Sequence, residues 1–148
     1  MTITLDDVID LLQLPIRGRL LNHVKITRAK AVEWMVEHLG VNPYMATQDC
    51  DNTNGAHVKF SYLKEIYEEN LRQAARAKRD AQAAGEPVDE DIFVQFHRGC
   101  VIRCFLMYLV GMSIFVDTSG HYNYVAYLRY FMVLSTIRDC NWGAAILT

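Results

Sequence analysis

His97, Cys100 and Cys104 stand at i, i+3 and i+7, so a helix through them places one imidazole and two thiols on a single face, a set able to ligate zinc. A structural zinc site needs four ligands, and His121 or Cys140 would have to complete it without any paired knuckle spacing. The plainer reading makes the cysteines small core residues and puts His97 on the helix flank. Cys140 precedes a helix that Asn141 could cap, where a thiol can be activated. None of His23, His38, His57, His97 and His121 lies in a motif that would make it the base, so a buried structural thiol is expected. Residues 49–55, Asp-Cys-Asp-Asn-Thr-Asn-Gly, resemble a calcium loop. With Gly55 at the sixth position, however, the loop starts at Cys50 and ends at Ser61, lacking the first carboxylate and the terminal Glu. It reads as an Asx-rich surface turn. The acids Asp6, Asp7 and Asp10 and those at 86–91 sit at helix starts, where the macrodipole accounts for them. No GxGxxG and no P-loop motif occurs. The residues therefore predict no catalytic, cofactor or metal site.

Two basic stretches remain. Arg17, Arg19, Lys25, Arg28 and Lys30 follow one another with no acid between Leu11 and Lys30, and Arg72, Arg76, Lys78 and Arg79 form the second. Each could contact phosphates, with Arg17, Arg19, Arg72 and Arg76 as the candidate contacts. Neither accompanies a recognisable reading helix or RNA-stacking motif, so a solvated or protein-contacting face is the competing reading. Arg103 differs from these because its surroundings are apolar. A buried guanidinium without a partner costs several kcal/mol, roughly 3 to 5, so it requires a carboxylate or carbonyl. Asp117 and Asp139 are the nearest following acids, and a structural ion pair is expected.

The elements that must position these residues are helical. A short strand at residues 1–4 leads to a helix over 5–14, capped by Thr4 and stopped at Pro15, with Leu5, Val8, Ile9, Leu11 and Leu12 recurring at helical spacing. Thr27 caps a second helix through Leu39, which Gly40 ends. Residues 42–55 read as loop. Ser61 caps a long helix to about Ala84 that carries a Glu68 to Arg72 pair and turns polar after Tyr67, so 69–91 is expected to be a solvent-exposed extension and linker. Asp89, Glu90 and Asp91 open the most apolar helix, which runs to about Gly111 and reads as buried and central. Its apolar run, 100–116, is interrupted by Arg103 and falls short of the ~20 residues a bilayer requires, so no membrane span is expected. Residues 125–134 read as helix, or as a short strand followed by helix. The fold class is thus mainly α, with a short N-terminal strand or hairpin remnant.

With 148 residues, 51% apolar and 22% charged, the chain suits one domain with a core. A net charge of -2 supplies no global field toward nucleic acid or anionic membranes. Four cysteines without disulfide spacing and no signal peptide suit an intracellular, reducing compartment.

The opening MTITLDDVIDLLQLPIRGR, LGVNP at 39–43, IRCFLMYLVGMSIFVDTSG at 102–120 and YLRYFMVLSTIRDCNWGAAIL at 127–147 together resemble the plant mobile domain, also called the aminotransferase-like or MAIN-like domain. By that resemblance Arg103, Tyr108, Gly111, Asp117, Gly120, Trp142 and Gly143 fall on fingerprint positions, with structural roles. Cys140 replaces the usual aromatic before the Trp-Gly pair, and Arg17 stands where an acid is common. The family occurs in retrotransposon and Mutator-type proteins and in nuclear host copies that support transposon silencing, genome stability and meristem maintenance with a serine/threonine phosphatase-like partner. The resemblance therefore implies a non-enzymatic nuclear interaction module, with a nucleic-acid-binding accessory domain as the alternative. No aminotransferase activity is expected, because Lys25, Lys30, Lys59, Lys64 and Lys78 all lack a pyridoxal-phosphate context. The chain starts and ends inside family motifs, so it reads as part of a domain whose apolar surface awaits further segments, and low solubility is expected.

Overall fold

The computed structural model describes residues 18–21, 24–113 and 120–142. The predicted strand at 1–4 and helix at 5–14 lie outside them. Helix α1 (Arg28–Leu39) begins where Thr27 Oγ1 accepts from Lys30 N at 3.2 Å and ends at Gly40, which takes the left-handed conformation at φ 68° that glycine adopts without strain. It buries Ala31, Met35 and Leu39.

Helix α2 (Pro43–Thr53) replaces the loop expected at 42–55. Its polar composition hid it, yet its ends carry ordinary signals. Asn42 Oδ1 accepts from Tyr44 N at 2.8 Å, Pro43 opens the first turn, and Asn54 closes the helix in the left-handed region. The acid and amide run 49–54 is therefore helix and cap, and Asp49 and Cys50 turn inward. Asp49 Oδ2 accepts from Lys59 N at 3.1 Å, tying α2 to strand β1 (His57–Lys59).

Strand β1 pairs antiparallel with β2 (Tyr122–Tyr124), setting His57 opposite Tyr124 and Val58 opposite Asn123. The hairpin of the described residues thus joins two distant parts of the chain, and its first strand lies between helices rather than at the N-terminus. Helix α3 (Phe60–Ala83) follows β1 directly, so its N-cap is Lys59 and not Ser61. The strand register fixes this start, because Phe60 N donates to His121 O at 3.1 Å.

After a 3₁₀ turn at Val88–Glu90, helix α4 (Ile92–Ser113) returns antiparallel along α3. Asp91 Oδ1 accepts from Phe93 N and Val94 N at 2.9 and 3.0 Å, so the predicted acidic start is an N-cap. Beyond β2 the chain continues in 3₁₀ turns at Val125–Tyr130 and Leu134–Asp139, so the segment 125–134, read as helix or as a short strand followed by helix, forms 3₁₀ turns. The core gathers Met35, Leu39, Val58, Leu63, Met107, Val125, Leu128 and Phe131.

Candidate interaction surface

Helix α4 is apolar nearly all the way round, a pattern that belongs to a helix covered on every side. One side is covered: Cys100, Cys104, Met107, Val110 and Gly111 are buried against the core. The other is not. Ile102, Phe105, Tyr108, Leu109 and Met112 recur along one face and remain exposed, Phe105 and Met112 to 55% and 54%. The expectation of a buried central helix is corrected to this extent. Periodicity reports that a face is apolar without reporting what covers it. Where this face meets α3, Leu63, Lys64, Tyr67, Cys104, Phe105 and Tyr108 line a groove of about 380 Å³, with Lys64 the one charge among the described residues that line it. The helix has the length and composition to cross a bilayer. Its inner face nevertheless belongs to the core, and its Arg103 is bonded to the loop at 131–132.

Arg103 holds this helix in place. Its Nε donates to Phe131 O at 3.0 Å, Nη2 to Met132 O at 3.1 Å and Nη1 to His38 O at 3.5 Å. Among the described residues, the partner it requires is this set of carbonyls, and the expected pairing with Asp139 is corrected. Asp139 is exposed and is not among the partners, and Asp117 lies outside the described residues. The planar fork points its donors in several directions and so serves several carbonyl acceptors at once.

The other positions expected to carry the family fingerprint fall into two groups. Gly111 and Trp142 are internal. A Cβ on Gly111 would lie 2.7 Å from both Asn123 Nδ2 and Phe60 Cε1, so only glycine lets α4 approach the hairpin. The Trp142 ring stacks on Phe131 at 5.7 Å and 2°, and its Nε1 donates to Ile137 O at 2.9 Å. Tyr108 stands edge-on to Phe60 and borders the groove, and Gly120 turns into β2 at φ 66°. Gly143 lies outside the described residues.

All four cysteines are buried and unbridged. Burial pushes the Cys100 thiol up to about 11 and the Cys104 thiol up to about 12, so neither supplies a thiolate near neutrality. His97 points instead to Asn70: its Nδ1 lies 2.8 Å from Asn70 Oδ1. Asn70 Nδ2 gives its hydrogens to Leu39 O and Ile66 O, both at 2.9 Å, so Oδ1 must accept and His97 Nδ1 must carry the proton. Among the described residues no group of three or more His, Cys, Asp or Glu side chains is placed to hold a metal ion.

Burial lowers the pKa of both His38 and His97, and the Arg103 charge lowers that of His38 further, against smaller opposite effects of Glu37 and Glu69. The unfolded chain therefore takes up these protons first as pH falls. Their contribution to stability is complete above about 6.5 and is lost as pH falls through the lower folded values. The urea midpoint is expected to drop on acidification from about pH 7 to about pH 5, and to drop less in a His97→Gln chain.

The candidate phosphate contacts do not converge. Arg72 pairs with Glu69 at 2.6 Å rather than with Glu68, and Arg76 lies beside Asp80 and Asp91 around one shallow cavity. Arg19 bridges to Cys140 through the backbone, and Arg17 lies outside the described residues. The second basic stretch is thus interleaved with acids. Of the first, Lys25 borders a cavity lined by rings that the sequence reading did not single out. His57 lies 4.8 Å from Tyr124, and Tyr124 lies 5.7 Å from Tyr127. The alternation Tyr122, Tyr124 and the step to Tyr127 were a usable signal, but the distant pairing of β1 with β2 was needed to bring His57 there.

Fold and surface together define a mainly helical, hairpin-braced scaffold with an uncovered apolar helix face. The chain belongs to the plant mobile domain family, a transposon-related plant domain, whose model it matches over residues 1–148. It is similar to Protein MAIN-LIKE 2 of Arabidopsis thaliana, at 31% identity over 147 residues, and to Protein MAIN-LIKE 1 of the same plant, at 30% over 147 residues. Each match covers 99% of this chain, which spans 18% and 25% of those relatives' lengths. No solved structure matches the chain.

Proposed function

We propose that this chain is a non-enzymatic, nuclear protein-interaction module that docks a partner on the exposed face of α4. The observation that carries the reading is the run Ile102, Phe105, Tyr108, Leu109 and Met112, a contiguous apolar surface of the kind that marks binding sites. The groove beside it favours an amphipathic partner helix whose apolar side chains fill it and whose carboxylate meets Lys64. The family resemblance supplies the partner, a serine/threonine phosphatase-like protein, and the setting of transposon silencing, genome stability and meristem maintenance. The raised thiol pKa values support the non-enzymatic part of the reading.

Titration calorimetry with a purified phosphatase-like protein tests this. Phe105→Glu is expected to weaken binding by about thirtyfold or more, as for a central aromatic anchor. Tyr44→Glu, exposed on α2, should leave binding unchanged. Equal affinity of wild type and Phe105→Glu, or binding by neither, overturns the reading. Attachment of the wild-type chain to neutral lipid vesicles in preference to the protein would reassign the face to a membrane.

A further inference from the structure

We propose that the ring-lined cavity beside Lys25 binds an aromatic base carrying a phosphate, as one nucleotide of a single strand. The cavity measures about 460 Å³, within the range of small-molecule sites. Its lining combines the small residues Gly55, Ala56 and Ala126 with the rings of His57, Tyr124 and Tyr127.

The rings are set by the backbone. The register places His57 opposite Tyr124, and Val125 N donates to Ala56 O at 3.0 Å. The His57 ring is held further by Tyr122, at 4.3 Å and 31°, and by Gly55, where any Cβ would come within 2.6 Å of the imidazole. Tyr124 and Tyr127 meet at 76°, so a planar ring entering the cavity can stack on one while the edge of the other faces it.

Charge selects the ligand. Among the described residues Lys25 is the one charged residue of the lining, so the complementary group is an anion. A methylated lysine, the usual guest of an aromatic cage, would meet the Lys25 ammonium and no carboxylate among the described lining residues. A base stacked on tyrosine with its phosphate at Lys25 satisfies both features, the combination by which proteins hold single strands. The Lys25 backbone is fixed beside the rings, because Arg129 Nη2 donates to Val24 O at 2.5 Å. Of the other cations of this stretch, Arg28 is paired with Asp51 at 3.5 Å and Lys30 with Glu33 at 3.4 Å, so the phosphate contact rests on Lys25. The site is independent of the α4 face.

The test is fluorescence anisotropy of a labelled short oligothymidylate with the 148-residue chain over a salt series. Binding at low salt is expected, with Lys25→Gln reducing the salt slope by about one. Tyr124→Leu should weaken binding by about fivefold or more. Circular dichroism melts check folding, and Tyr127→Leu serves if Tyr124→Leu unfolds. Competition by uridine monophosphate at equal site affinity identifies a free nucleotide as the ligand, and competition only by the strand identifies the strand. No binding, binding indifferent to both variants, or stronger competition by phosphotyrosine than by either nucleotide form overturns the proposal.

Discussion

An Arg103→Met chain is expected to lose about 3 kcal/mol of stability in urea denaturation, because the substitution leaves three part-buried carbonyls without donors. The guanidinium joins three parts of the chain: α4, the end of α1 at His38, and the loop at 131–132. Methionine fills much of the same volume, so the loss reports hydrogen bonding rather than a cavity. Lysine keeps the charge but cannot span the same carbonyls with a planar fork, so Arg103→Lys should recover only part of it. A loss below about 1 kcal/mol in Arg103→Met would mean that the carbonyls find water or other donors, and that α4 is not fixed in this way.

Trp142→Ala should cost about 3 to 5 kcal/mol, the usual range for removing a buried indole. The ring is 6% exposed, stacks on Phe131 and stands nearly perpendicular to Tyr130 at 6.0 Å. Trp142→Phe separates the contributions, since it keeps the stacking area and removes the bond from Nε1 to Ile137 O. A loss of about 1 kcal/mol is expected there. Equal losses in the two variants would assign the effect to the hydrogen bond alone and contradict the packing role. Both side chains act inside the scaffold.

Local signals carried much of the fold. Thr27 and Gly40 bracket α1, and Asp91 caps α4, because capping chemistry depends on residues a few positions apart. The helix at 43–53 escaped because Asp, Asn and Thr suggest turns, although Asn42, Pro43 and Asn54 are helix boundary residues. The hairpin escaped for a different reason. Its strands are three residues each, and the pairing of His57 with Tyr124 crosses the whole α3–α4 pair. No local pattern encodes such a partner.

The candidate surfaces were legible in the same uneven way. That Arg103 needs a partner followed from its apolar surroundings, but which carbonyls meet it depended on where the loop at 131–132 runs. The apolar character of α4 was plain, whereas its exposure was not. Coverage is a property of the surrounding elements, and the helix sequence reports only the demand for it. Arg72 and Arg76 looked free for phosphate until helical neighbours and the returning chain set Glu69, Asp80 and Asp91 beside them.

The account rests on the α4 face being a docking surface, and hydroxyl-radical footprinting reads that surface most directly. Phe105, Tyr108 and Met112 are exposed and of reactive types, as are Tyr44 and Met45 on α2. On addition of a purified phosphatase-like protein, modification of the three α4 residues should fall several-fold while Tyr44 and Met45 keep their reactivity. Unchanged reactivity on α4, or protection at Tyr44 and Met45 in its place, would contradict the account.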